Sequence, residues 1–205
     1  MKKMLYVLVI TFLSFTIYSC AKKSDSSSSS STTELEGTWV VSCYSSGNYY
    51  KTKTITVSGT GYVKKSEYHS DSSCSSDNYT VEATFSSLSI GDAMVFDSYG
   101  SSGGSGAQFS MTISENTYTP QTSGGVSWSN TNSYCGLTGW ELNTAQDVAG
   151  KTCGAGTDPM LAIGVTGYGL YLLDGSKLFW EVSDSTSSTY PSRIRTGDND
   201  TFTKQ

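Results

Sequence analysis

The sequence predicts an all-β fold, a β-barrel or a β-sandwich. Three observations lead there. Short apolar bursts, several alternating with period two, recur from Leu35 onward and are separated by Gly, Ser, Asn and Asp. No stretch sustains helical periodicity; only Glu141 to Ala149, with Leu142, Ala145 and Val148 on one face, reads as a short helix. Late in the chain, Asp174-Gly175 stands between two apolar runs, a strong hairpin signal.

The elements follow in order. Lys2 and Lys3 precede an apolar run from Met4 to Ile17, closed by small or polar residues. A spanning helix takes about 20 apolar residues, so this shorter run has the form of a secretory signal over residues 1–19. Residues 20–33 contain Cys20, two lysines and a serine run from Ser26 to Ser31. With no apolar residue larger than alanine after Cys20, this stretch has nothing to pack and reads as a flexible tether of about 20 Å. Residues 34–205 form the domain. Strands are expected at Gly37 to Tyr44, Thr52 to Val57, Tyr62 to Tyr68, Tyr79 to Phe85, Ala93 to Phe96, Gln108 to Ile113, Thr117 to Thr119, Tyr168 to Leu173 and Leu178 to Val182. Gly59-Thr60-Gly61 is a turn, Ser98 to Gly106 a flexible loop, and Cys135 to Pro159 a longer irregular insertion.

Five cysteines occur: Cys20, Cys43, Cys74, Cys135 and Cys153. An odd number in a secreted chain calls for one with a separate role. If Cys20 has that role, four remain, and pairing neighbours in sequence favours Cys43–Cys74 and Cys135–Cys153. Each bridge would contribute about 3–4 kcal/mol by constraining the unfolded chain. A Cys₄ zinc site is disfavoured because no two cysteines stand at C-x₂₋₄-C spacing.

Two resemblances follow from short motifs. Ile17-Tyr18-Ser19-Cys20 resembles the lipobox of bacterial lipoproteins. That resemblance implies cleavage before Cys20, diacylglycerol on its sulfur and acylation of its amine, a stable membrane anchor. Ala21, rather than aspartate, follows the cysteine; by resemblance to enterobacterial sorting this implies the outer membrane, with the exposed face left open. Gly37-Thr38-Trp39, opening the first strand, is similar to the G-x-W motif of the lipocalin-like superfamily. The resemblance implies an eight-stranded up-and-down barrel in which a basic residue near the C-terminus packs over Trp39. Arg193 and Arg195 are the candidates for that partner.

The remaining chemistry is sparse. The net charge of −5 becomes −7 once Lys2 and Lys3 are removed, which leaves no basic footprint for nucleic acid. The one histidine, His69, reads as a solvent-facing loop or strand-end residue. Gly100 to Gly104 matches G-x-S-x-G, but no helix follows it and His69 precedes it, against the order a nucleophile elbow needs. One histidine is too few for a typical catalytic zinc centre, and Gly197 to Asp200 reads as a turn rather than a calcium loop, as do Asp71 and Asp77 around Cys74. No catalytic residue, metal or cofactor is therefore expected. Aromatics reach 12% with 14 Tyr, which fits either a binding surface or ordinary β-strand composition. Two functional expectations follow: a membrane-anchored lipoprotein binding a small apolar or amphipathic ligand, or an envelope interaction protein with a filled core.

Overall fold

The computed structural model describes residues 34–95, 105–154, 158–183 and 189–205. The expected signal, Cys20 and the tether lie outside the described residues, as do Phe96 and most of the Ser98 to Gly106 loop. Alternation of apolar and polar residues produces β1 (Gly37–Ser46), β2 (Tyr49–Ser58), β3 (Gly61–His69), β4 (Asp77–Val95) and β5 (Ser105–Pro120). A single helix, α1 (Ser123–Thr131), and three two-residue strands, β6 (Gln146–Asp147), β7 (Thr152–Cys153) and β8 (Asp158–Pro159), lie between β5 and the last three strands. Those are β9 (Thr166–Asp174), β10 (Lys177–Val182) and β11 (Thr201–Lys204).

Eight strands close on themselves in the order β1-β2-β3-β4-β5-β9-β10-β11, with β11 returning to β1, and every pairing is antiparallel. The fold is therefore an up-and-down closed barrel, not a sandwich. Closure satisfies the strand edges that an open sheet would expose. Trp39 and Val41, Ile55 and Val57, and Phe109, Met111 and Ile113 stand at alternate positions of their strands and fill the interior with Tyr62, Phe85, Tyr171, Leu178, Trp180 and Phe202. Most outward positions of β2 and β3, among them Thr54, Thr56, Lys65 and Glu67, are polar. Among the described residues no helix is long and apolar enough to cross a membrane.

The two ends differ. At one end the chain enters through Glu34 to Glu36, and Leu35 is completely buried in the barrel core. The Trp39 indole donates to the Leu35 carbonyl at 2.7 Å, the Tyr171 hydroxyl to Glu34 at 2.7 Å, and the Gly59 amide to Glu36 at 2.7 Å. At the other end stands the β5–β9 connection, which caps the barrel mouth. Its own small core of Cys135, Trp140, Val148 and Cys153 packs on Tyr118, Tyr79 and Val81 of the barrel wall.

Both expected disulfides are present, with Cα–Cα distances of 5.8 Å for Cys43–Cys74 and 4.1 Å for Cys135–Cys153. The first ties a bulge in β1 to the β3–β4 loop, and the second staples the insertion.

Several expectations need correction. Glu141 to Ala149 is not a helix: Asn143 takes φ 55° and its amide bonds to the Pro120 carbonyl, after which Gln146–Asp147 pairs with β5. The helix lies earlier, opened by the Thr122 hydroxyl accepting from the Gly125 amide at 3.0 Å. Ala93 belongs to β4 rather than to a separate strand, because register shifts near Ser86 and Ile90 interrupt the alternation without ending the pairing. Gln108 to Ile113 and Thr117 to Thr119 likewise form one strand, β5. Asp174 pairs with Lys177, so the hairpin turn is Gly175-Ser176, one residue later than read, with Gly175 at φ 60°.

Candidate functional site

The mouth of the barrel is built in layers by the alternation of β2, β3, β4 and β5. Positions that face the axis in the apolar half continue upward on the same side of each strand. Ile55 pairs with Lys64, Lys53 with Ser66 and Lys51 with Tyr68; across the next seam Lys64 pairs with Ala83, Ser66 with Val81 and Tyr68 with Tyr79. A cationic layer therefore lies above the apolar floor, and an aromatic layer lies above that.

The aromatic layer runs without a break from the barrel wall to the insertion. Tyr68 stacks on Tyr79 with ring centres 4.2 Å apart, and Tyr79 meets Tyr118 at 5.2 Å. Tyr118 meets Tyr134 at 4.7 Å and Trp140 at 5.1 Å, and Trp128 meets Tyr134 at 5.3 Å. These rings enclose a groove of about 460 Å³, lined by Tyr49, Tyr79, Tyr118, Tyr134, Trp128 and Asn78, with glycines of α1 in its wall. At Gly125 a Cβ would stand 3.1 Å from the Thr122 hydroxyl and 3.6 Å from the Asn78 carbonyl, so the first turn of α1 packs closely on the end of β4. Trp128 is 52% exposed, a large area for a residue whose indole would otherwise be covered. Burial raises the ionisation of Tyr79 and Tyr118 above the ordinary tyrosine range, so their hydroxyls remain neutral donors. A concave aromatic surface with a few polar handles is suited to a small amphipathic molecule.

The cationic layer is unequally compensated. Lys51 donates to the Tyr68 hydroxyl at 2.8 Å, and Lys53 pairs with Asp200 at 3.0 Å and donates to the Asn199 carbonyl at 2.7 Å. Lys64 has neither a hydrogen bond nor an ion pair among the described residues. Burial, reinforced by Lys53 and Lys51, pushes the Lys64 ammonium down to about 8. Lys51 is also pushed down to about 8, first by burial and then by Lys53.

The residues singled out in the sequence take different places. Trp39 is buried at the closed end, and the cation over its ring is Lys204, 5.1 Å from the centroid. Arg193 and Arg195 do not serve that role. Register explains why: β11 places Lys204 directly opposite Trp39. Arg195 instead pairs with Glu181 at 3.2 Å, and the exposed Arg193 lies beside it in a shallow groove on the outer wall. Between them, Ile194 is buried against Leu170, Leu172 and Phe179. Gly37 adopts φ 115°, with the Lys204 stem 3.2 Å from where a Cβ would stand.

His69 ends β3 as expected but is buried rather than solvent-facing, with 4% exposure. Its Nδ1 lies 3.0 Å from Asp77, and its Nε2 lies 3.4 Å from the Thr52 hydroxyl. The pair closes the corner between β3 and β4. Asp71 organises the neighbouring turn, accepting from the amides of Ser73, Ser75 and Ser76. Gly197 to Asp200 is a turn, as read, and what the sequence did not disclose is that it delivers Asp200 to Lys53. Among the described residues no three His, Cys, Asp or Glu side chains gather around one point.

The groove and the lysine layer escaped sequence reading. Their visible signals were the abundance of Tyr and Trp, which did not say where the rings gather, and Lys51, Lys53, Ile55 and Val57 at period two, two lysines continuing an apolar face. No family model matches this chain, and no curated protein matches it.

Proposed function

We propose that this chain is a lipid-anchored protein of the bacterial cell envelope, held through acylated Cys20, which binds a small amphipathic molecule at the barrel mouth. The observation that carries the binding reading is the aromatic groove of about 460 Å³ with Trp128 half exposed beside it. The volume falls within the range of small-molecule sites. The apolar half of the barrel is filled by side chains, so the ligand sits at the mouth rather than being swallowed whole.

Organic extraction of natively purified protein followed by mass spectrometry tests the reading. A co-purifying small molecule that is lost in Trp128→Ala supports it; extracts identical to a blank overturn it. Anchoring is tested separately. Cys20→Ala is expected to lose palmitate labelling and move to the soluble fraction, and retention of both label and membrane association counts against the anchor.

A second reading is supported by Ile163 at 59% and Leu142 at 50% exposure on the insertion. These would serve a protein partner in the envelope, with the groove incidental. In-cell crosslinking through the insertion separates the two, since recovery of monomer alone removes this alternative.

A further inference from the structure

Below the aromatic groove, at the next inward positions of β3, β4 and β5, a second cavity of about 220 Å³ is lined by Lys64, Ser66, Val81, Phe85, Asn116 and Leu161, among others. Its walls are mainly apolar, yet Lys64 enters it with no anion to meet. An ammonium drawn partly out of water against apolar walls is stabilised by an opposite charge or a full set of acceptors. Asn116 adds to the imbalance. It is 5% exposed, and its buried side-chain oxygen has no donor among the described residues. Rotation of that amide presents either an acceptor or a donor to the cavity.

The charges around the cavity are predominantly positive. Lys53 is answered by Asp200, and Lys51 leans on a neutral tyrosine hydroxyl. The other nearby carboxylate, Glu181, is held by Arg195. Lys64 is left as the unanswered cation, in a chain whose overall charge is negative. A cation on the wall of a mainly apolar pocket in an acidic protein is suited to selecting one sign of ligand charge.

We propose that this cavity holds the anionic end of the molecule bound at the barrel mouth, a carboxylate or a phosphate, with Lys64 as its counter-charge. The inference rests on the groove reading and narrows it from an amphipathic ligand to an anionic one. Phe85, Val81 and Leu161 then pack against the first carbons behind the anionic group. Asn116 and Ser66 offer hydrogen bonds to its oxygens.

The test uses the full-length chain in lipid nanodiscs and three soluble probes of similar shape: benzoate, phenyl phosphate and neutral benzamide. Binding is read by calorimetry on wild type, Lys64→Met and Lys64→Arg, with far-UV circular dichroism verifying the fold of each. Wild type is expected to bind at least one anion ten times or more tighter than benzamide. Lys64→Met is expected to reduce that anion to the benzamide level, and Lys64→Arg to keep the preference. A preference for benzoate identifies a carboxylate ligand, and one for phenyl phosphate identifies a phosphate; either supports the proposal. Equal binding of benzoate, phenyl phosphate and benzamide, or an anion preference that survives in Lys64→Met, overturns it while leaving the amphipathic groove standing. Failure of all three probes to bind also overturns it, and the extraction experiment then decides the groove on its own.

Discussion

Lys204 holds its Nζ 5.1 Å from the centre of the Trp39 ring, while the indole nitrogen of Trp39 bonds to the Leu35 carbonyl. The ring is thus fixed from both sides at the closed end. A cation over an indole at a partly exposed site is worth about 0.5–1 kcal/mol. Lys204→Ala is therefore expected to lower unfolding stability by about that amount and to alter Trp39 near-ultraviolet dichroism. Arg195→Ala is expected to leave the Trp39 signal unchanged. An Arg195→Ala effect on that signal larger than the Lys204→Ala effect would contradict the assignment. Trp39 itself was legible in the sequence, as a strand-borne tryptophan after glycine. Its partner was not, because three cations stand in the last thirteen residues and only the register of β11 decides among them. The same limit applies to His69, whose burial depends on Asp77 and Thr52 arriving from separate strands.

At the scale of elements, β9 shows how a strand makes room for a core. Gly169 faces the Phe109 ring, and a Cβ there would also stand 2.6 Å from the Glu181 carbonyl oxygen. Backbone and a packed ring cannot both withdraw. Gly169→Ala is expected to cost about 1–3 kcal/mol, read as a fall in urea midpoint. At Gly167 the nearest obstacle is the Met111 methyl at 2.7 Å, the mobile end of a flexible side chain. Gly167→Ala should cost clearly less, and an equal loss would show that the contact at Phe109 is not what decides. Most strands were legible because their alternation is regular: Thr52 to Val57 and Tyr62 to Tyr68 lie wholly within β2 and β3. The failures fall where local signals conflict with tertiary ones. Ser87 at φ 56° breaks the pattern of β4, yet pairing to β5 carries the strand onward. Helix α1 begins Ser-Gly-Gly, residues that favour loops, and depends on the Thr122 cap and on packing against β5. Strand β11 has four residues and one buried apolar side chain, Phe202, too little for a periodicity to register.

For the whole molecule, the buried titratable groups predict an unusual stability profile at alkaline pH. Lys64 and Lys51 release their protons near pH 8 in the folded chain and near 10.5 when unfolded. Over that interval the unfolded state binds more protons, so stability rises with pH. Tyr62, Tyr79 and Tyr171 behave oppositely: burial lifts each above the ordinary value of 10.0, so the unfolded chain ionises first and stability falls above pH 10. Chemical denaturation from pH 7 to 11 should therefore show a maximum at roughly pH 9–10. A steady decline across the range would mean that the lysines are compensated in the folded state. Both disulfide pairings were readable from cysteine order, whereas the strand pattern alone left barrel and sandwich open and closure was implied only by the G-x-W resemblance. The layering of charge beneath aromatic rings was not, because it arises only when four strands align their alternation.

The burial of Leu35 at the closed end has a mechanical consequence. On the proposed anchoring, any pull between the membrane and a ligand held in the groove enters the domain at Glu34 and runs along the barrel axis to the opposite end. The first parts to bear load are the Leu35 plug and the seam beside it, where β1 and β11 share only the Trp39–Lys204 and Val40–Thr203 register pairs. The disulfides lie at the far end and cannot reinforce that seam. Under tension the barrel should part there first, with the binding end still cross-linked.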